Sequence, residues 1–202
     1  IGVGYPRGVN LTFDAESLLP KWTEAHTLGP DLRIDTGRSD APSQPGVLFT
    51  SVRTGENDNA YLKKDLEIPT PSKDAELSFS VLPEAQGTSG DACIATLTIG
   101  SHKLRIYASR SGMLLEDGVG SAPAKFENLG RVLPAKWTRV AFRITNGNLE
   151  VDLDGSNVFK GVAPNTWAAD TSLVAVVGVH FLLNSPSGQF TFRFDDVRFT
   201  SK

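Results

Sequence analysis

Short apolar–polar alternations recur along the chain and are cut by Gly, Pro, Asn and Asp. They predict strands over 9–13, 46–52, 60–68, 75–82, 93–100, 102–109, 112–117, 138–145, 148–154, 172–183 and 189–200. Asn146-Gly147 and Asp154-Gly155 read as hairpin turns. Residues 39–46 and 83–91 read as loops, and the one helix candidate, 14–25, is interrupted by Pro20 and holds at most a turn or two. Many short strands without helices predict an all-β, two-sheet antiparallel sandwich or jelly roll. No repeat or low-complexity tract divides the chain, so a single domain over 1–202 is expected.

The alternation breaks once in an informative way. Phe190, Phe192 and Phe194 keep period two, but Val197 and Phe199 can join them in the core only if one residue is skipped. A β-bulge at Asp195–Asp196 does this. The expected core comprises Leu104, Ile106, Phe142, Ile144, Val177, Val179, Phe181, Phe192 and Phe194. The bulge gathers carboxylates and free carbonyls, a donor set suited to Ca²⁺. Asp14 and Glu16, just past the first strand, which is expected to run near the last, would complete a structural calcium shell with Asp195 and Asp196. Asp196 is the favoured ligand because the continued beat aims it inward. The plain alternative is that these acids blunt a sheet edge and contact Arg193 or Arg198.

Composition narrows the partners. Formal net charge is −3 with no Lys/Arg block, which argues against nucleic acid. The apolar run 173–183 is too short to span a membrane as a helix. The single Cys93 sits in an apolar strand and reads as a buried, inert thiol. The first residue is Ile1 rather than Met, which leaves room for a removed signal peptide or a neighbouring domain.

Residues 133–161 run from a Pro-led loop through Trp137, a strand, an Asn-Gly turn, a strand, an Asp-Gly turn and a return strand. This order resembles the central hairpins of concanavalin A-like jelly rolls, especially laminin G-like domains. "LTFDAE" and "FDDVRF" resemble the first and last strands of secreted bacterial sandwich modules. The resemblance implies a secreted or cell-surface location, but the fold hosts lectins, glycosidases, lyases and adhesion modules alike.

Two constellations are candidates for chemistry. Glu150, Asp152 and Asp154 share an outer face, similar to the Glu-x-Asp-x-Glu motif of retaining glucanases on this fold, with a shorter third member. Asp154 is better explained as the start of a turn. The second set is basic: Arg105 and Tyr107, Arg139 and Arg143, His180 and Arg193 all oppose inward-facing neighbours. Some jelly-roll polysaccharide lyases neutralise a uronate carboxylate with Arg and use His or Tyr as base and acid. Their Arg-x-Glu-Leu and Gln-x-His strings are absent, and Gly178 stands where Gln would. The catalytic candidates are therefore Arg105, Tyr107, Arg139 and His180, while Trp167 with Tyr107 and Arg105 could contact sugar without catalysis. Trp137 and, with less support, Trp22 are expected in the core. His26, His102 and His180 match no zinc spacing.

The leading expectation is an extracellular, non-catalytic carbohydrate-binding or adhesion module with a structural calcium, within a larger surface protein. The alternative is a jelly-roll lyase or hydrolase acting on polysaccharide, anionic polysaccharide included.

Overall fold

The computed structural model describes residues 7–11, 23–26, 31–36, 39–43, 46–53, 60–67, 74–119, 121–162 and 172–201. Its strands are β1 (Arg7–Leu11), β2 (Thr23–His26), β3 (Asp31–Thr36), β4 (Gly46–Arg53), β5 (Ala60–Glu67), β6 (Ala75–Gln86), β7 (Ser89–Ile99) and β8 (His102–Ala108). There follow β9 (Met113–Val119), β10 (Lys125–Asn128), β11 (Thr138–Thr145), β12 (Asn148–Leu153), β13 (Ser156–Val162), β14 (Ser172–Ser187) and β15 (Gln189–Ser201). An eight-stranded sheet has the order β13-β12-β11-β6-β15-β4-β3, with β1 also on β15; a seven-stranded sheet has the order β10-β9-β8-β7-β14-β5-β2. The expected all-β antiparallel sandwich is what the chain forms.

Every expected strand appears. The expected loop at 83–91 does not: β6 continues to Gln86, β7 starts at Ser89, and a tight hairpin joins them. Gly87 permits it, with φ +60 and a Phe190 ring atom only 2.3 Å from where a Cβ would sit. The helix candidate also fails where it can be read, since Thr23–Ala25 lie in β2. β10 escapes the pattern because all four of its residues are exposed and show no inward–outward contrast.

The core lies between the sheets. Leu104, Ile106, Phe142, Ile144, Val177, Val179, Phe192 and Phe194 are buried there as expected. Phe79 and Phe194 pack with ring centroids 5.8 Å apart. Phe181 is the exception: it pairs in register with Cys93 and packs edge-on against Tyr107. A slip in β14 causes this. Val177 pairs with Ala95 and Phe181 with Cys93, so four steps on β14 meet two on β7. His180 and Phe181 both emerge on the outer face.

The expected bulge in β15 is present. Asp195 pairs with Ser80 and Arg198 with Ser78, leaving one residue extra on β15, and Val197 and Phe199 join the core. It falls where β15 changes partner: β4 pairing ends at Phe194 and β1 pairing begins at Val197. The first strand thus runs beside the last.

Candidate functional site

Which acid the bulge buries is the reverse of the expectation. Asp195 is fully buried, whereas Asp196 takes the left-handed φ of 49° and is only half-buried. The skipped residue turns Asp195 into the gap between β4 and β1. There its carboxylate accepts from Ser43 N–H (2.7 Å), Ser43 Oγ–H (2.7 Å) and Asp196 N–H (2.7 Å). Burial lifts its pKa to about 6, against the pull of these donors. The Asp196 carbonyl accepts from Arg139 Nη1 at 2.9 Å, and Arg139 Nη2 reaches Ser78 Oγ at 2.7 Å. These bonds engage the Asp195 carboxylate and the Asp196 carbonyl, so the calcium expectation rests on the Asp196 carboxylate. Asp14 and Glu16, the other expected ligands, lie outside the described residues, as do Trp22 and Trp167.

Arg139 is thereby removed from the catalytic candidates. It sits on β11 of the eight-stranded sheet, and Arg105, Tyr107 and His180 belong to the other. The acids at 150, 152 and 154 are occupied too. Arg143 pairs with Asp152, Lys160 with Glu150 at 2.9 Å, and Asp154 forms its turn at φ 50° while accepting from Arg139 N–H at 2.8 Å. Arg193 is buried between Glu84 (2.6 Å) and Asp35, over the Phe49 ring. Trp137 is half-buried rather than core, and its Nε1 has no partner among the described residues.

The outer face of the seven-stranded sheet collects the rest. Alternation on β8 sends Leu104 and Ile106 inward and Arg105 and Tyr107 outward. In register, Arg105 lies between Glu116 on β9 and Thr96 on β7, and Tyr107 pairs with Cys93. The slip in β14 delivers His180 to the same place. Its Nδ1 is 2.8 Å from the Gly178 carbonyl, which can only accept, so Nδ1 carries the proton. Nε2 therefore presents its lone pair, 2.6 Å from Thr96 Oγ1 and 3.1 Å from Cys93 Sγ. Burial lowers the His180 pKa to about 4, and the Gly178 bond offsets this only in part. The imidazole is neutral at pH 7. Burial also raises the Cys93 thiol, so Cys93 is the inert thiol expected.

Glu116 ties the remaining groups together. Its Oε1 accepts from Arg105 Nη1 at 2.6 Å and its Oε2 accepts the Tyr107 hydroxyl in a short bond. Tyr107 is fully buried; burial, with Glu116 adding to it, raises its pKa. The Arg105 guanidinium also covers the Phe181 ring at 4.9 Å. Glu116, Thr96 and Phe126 were not singled out from the sequence. Alternation around Leu115 would have placed Glu116 outward, but only register sets it opposite Arg105. The cluster thus gathers a cation, a neutral imidazole, a phenol and a carboxylate, each already hydrogen-bonded within it: His180 Nε2 to Thr96, and Arg105 and Tyr107 to Glu116.

No family model and no curated protein matches this sequence. Its fold is similar to many solved structures. An endo-β-1,4-glucuronan lyase from the fungus Trichoderma reesei superposes with TM-score 0.66 at 11% identity over 96% of this chain and 95% of that one. The alginate lyase A1-II′ gives 0.67 at 9% identity over 96% and 94%. A carbohydrate esterase of the Shiga toxin-encoding bacteriophage phi24B gives 0.65 at 7% identity over 98% and 100%. Two antiparallel sheets in this order, matched end to end by such structures, are those of a concanavalin A-like jelly roll.

Proposed function

We propose that the chain acts on an anionic, uronate-containing polysaccharide laid across the outer face of the seven-stranded sheet, cleaving it by β-elimination outside the cell. The carrying observation is that three of the four catalytic candidates, Arg105, Tyr107 and His180, meet on that face. The solved structures of like fold named for glucuronan and alginate lyases support the substrate class.

The chemistry assigns each a role. Arg105 neutralises the uronate carboxylate and so acidifies the carbon bearing it. His180 Nε2 takes that carbon's proton, and the electron pair forms the double bond as the glycosidic C–O bond breaks. The Tyr107 hydroxyl protonates the leaving oxygen. Glu116 must first release both Arg105 and Tyr107, with a substrate carboxylate replacing it, and the Thr96 hydroxyl must turn away from His180 Nε2.

A second reading, non-catalytic glycan binding, draws on the same contact. With Tyr107 buried and held by Glu116, the face can bind without supplying a proton. Incubation with alginate, glucuronan and neutral glucan separates the two. Ultraviolet absorbance from new double bonds is expected with a uronate polymer; retardation in an affinity gel without absorbance would leave binding alone.

A further inference from the structure

β10 is an edge strand with every residue exposed. Lys125 and Glu127 are what such an edge needs to discourage pairing, but Phe126 is not. Its side chain is 52% exposed, one of only two large apolar side chains so exposed among the described residues. A lone exposed aromatic would need no explanation. Its register supplies one. Phe126 pairs with Glu116, Glu116 with Arg105, and Arg105 with Thr96, so one row across four strands runs from the exposed ring into the proposed site. The rings continue this path: Phe126 to Tyr107 is 6.3 Å, Tyr107 to Phe181 5.6 Å, and Phe181 to His180 5.3 Å. Of this series Phe126 is the most exposed; Tyr107 is buried, and Phe181 and His180 are half-buried.

We infer that Phe126 is a stacking platform for a sugar ring of the same glycan, at one end of its binding path. The inference rests on the function proposed above. An apolar ring face suits the C–H face of a pyranose, and the Arg105–Glu116 pair beside it suits the hydroxyls and carboxylate. From β8 to β10 is two strand spacings, roughly 10 Å, about the span of a disaccharide. Phe126 would therefore be reached by oligosaccharides that extend beyond the sugar held at Arg105, and not by the shortest ones.

The test compares wild type, Phe126→Ala and Phe126→Trp on a graded series of uronate oligosaccharides. Phe126→Ala is expected to raise Kd or KM about tenfold for long oligomers. The loss should fall away as the oligomer shortens, so that KM for the shortest binding oligomer changes least, and Tm should shift by no more than a degree or two. Phe126→Trp should restore affinity. An unchanged length dependence in Phe126→Ala would overturn the subsite while leaving the proposed function standing. A changed oligomeric state in size-exclusion chromatography without a change in affinity would overturn it too, making β10 a self-association edge. A wild type that neither binds nor cleaves any of the panel would overturn both.

Discussion

In β15 the bulge at Asp195–Asp196 buries an acid under three hydrogen-bond donors. In β14 the slip around Gly178–His180 brings a histidine to a face already holding Arg105, Tyr107 and Glu116. Both are register irregularities that redirect polar side chains, and they serve opposite ends. The first closes a seam: Ser43, just ahead of β4, is tied to the point where β15 exchanges β4 for β1. The Asp195 carboxylate is turned wholly to the protein. The second creates a cluster whose members come from four strands and whose charges lie beside an exposed aromatic. A bulge is thus not itself a sign of function; what distinguishes the two is whether the redirected side chain enters a closed seam or joins a cation, a phenol and a carboxylate on one sheet face.

The sharpest way to break this comparison is activity. Arg105→Ala should lower kcat/KM on a uronate polymer by roughly 10²–10³-fold, the scale of losing a group that stabilises developing charge. Asp195→Asn should leave it within about twofold. Initial rates followed by ultraviolet absorbance would check both, and an inactive Asp195→Asn with native melting would show that the seam feeds the site.

Stability should respond in the reverse order. Asp195→Ala strands Ser43 N–H, Ser43 Oγ–H and Asp196 N–H, and is expected to cost roughly 1–3 kcal/mol by chemical denaturation. If the bulge holds calcium through the Asp196 carboxylate with Asp14 and Glu16, chelation should lower Tm by a few degrees and Asp196→Asn should remove that sensitivity. An unchanged Tm would leave the bulge a register device only.

The smallest effects sharpen the comparison through pH, where the two bulges carry opposite signs. His180 is held at about 4, below its unfolded value near 6.5, so the unfolded state binds more protons between those limits. Its contribution is present above pH 6.5 and lost on acidification towards 4. Asp195 is held at about 6, above its unfolded value near 3.9, so its contribution is present below pH 4 and lost as pH rises through 6. Relative to wild type, His180→Gln should gain stability and Asp195→Asn lose it as pH falls from 6.5 to 4. Melting curves across that window would check both, and equal slopes in the two variants would refute the assignment.

Much was legible from the chain alone because a sandwich strand has one buried face. Period-two aromatics at Phe190, Phe192 and Phe194, followed by Val197 and Phe199, require a skipped residue whatever packs against them. The same local rule turned Arg105 and Tyr107 outward and made Asn146-Gly147 and Asp154-Gly155 turns. Strand alternation, however, says which side of a sheet a residue occupies and nothing about which sheet or which neighbour. Arg139 looked equivalent to Arg105 until topology placed it on the opposite sheet. Asp196 looked like the inward acid until the change of partner from β4 to β1 turned Asp195 into the gap. The slip that moves Phe181 out of the core leaves little trace in a run that is apolar on both faces apart from His180, since a shifted register there mostly exchanges one hydrophobe for another. The chain by itself determined its faces, turns and one bulge, through steric period and side-chain burial. The meeting of Glu116 with Arg105 and of Phe126 with Tyr107 was set by the register of neighbouring strands, which alternation alone leaves open. That of His180 with Thr96 was decided by tertiary structure, because register between strands distant in sequence depends on the sum of many pairings and on no single residue.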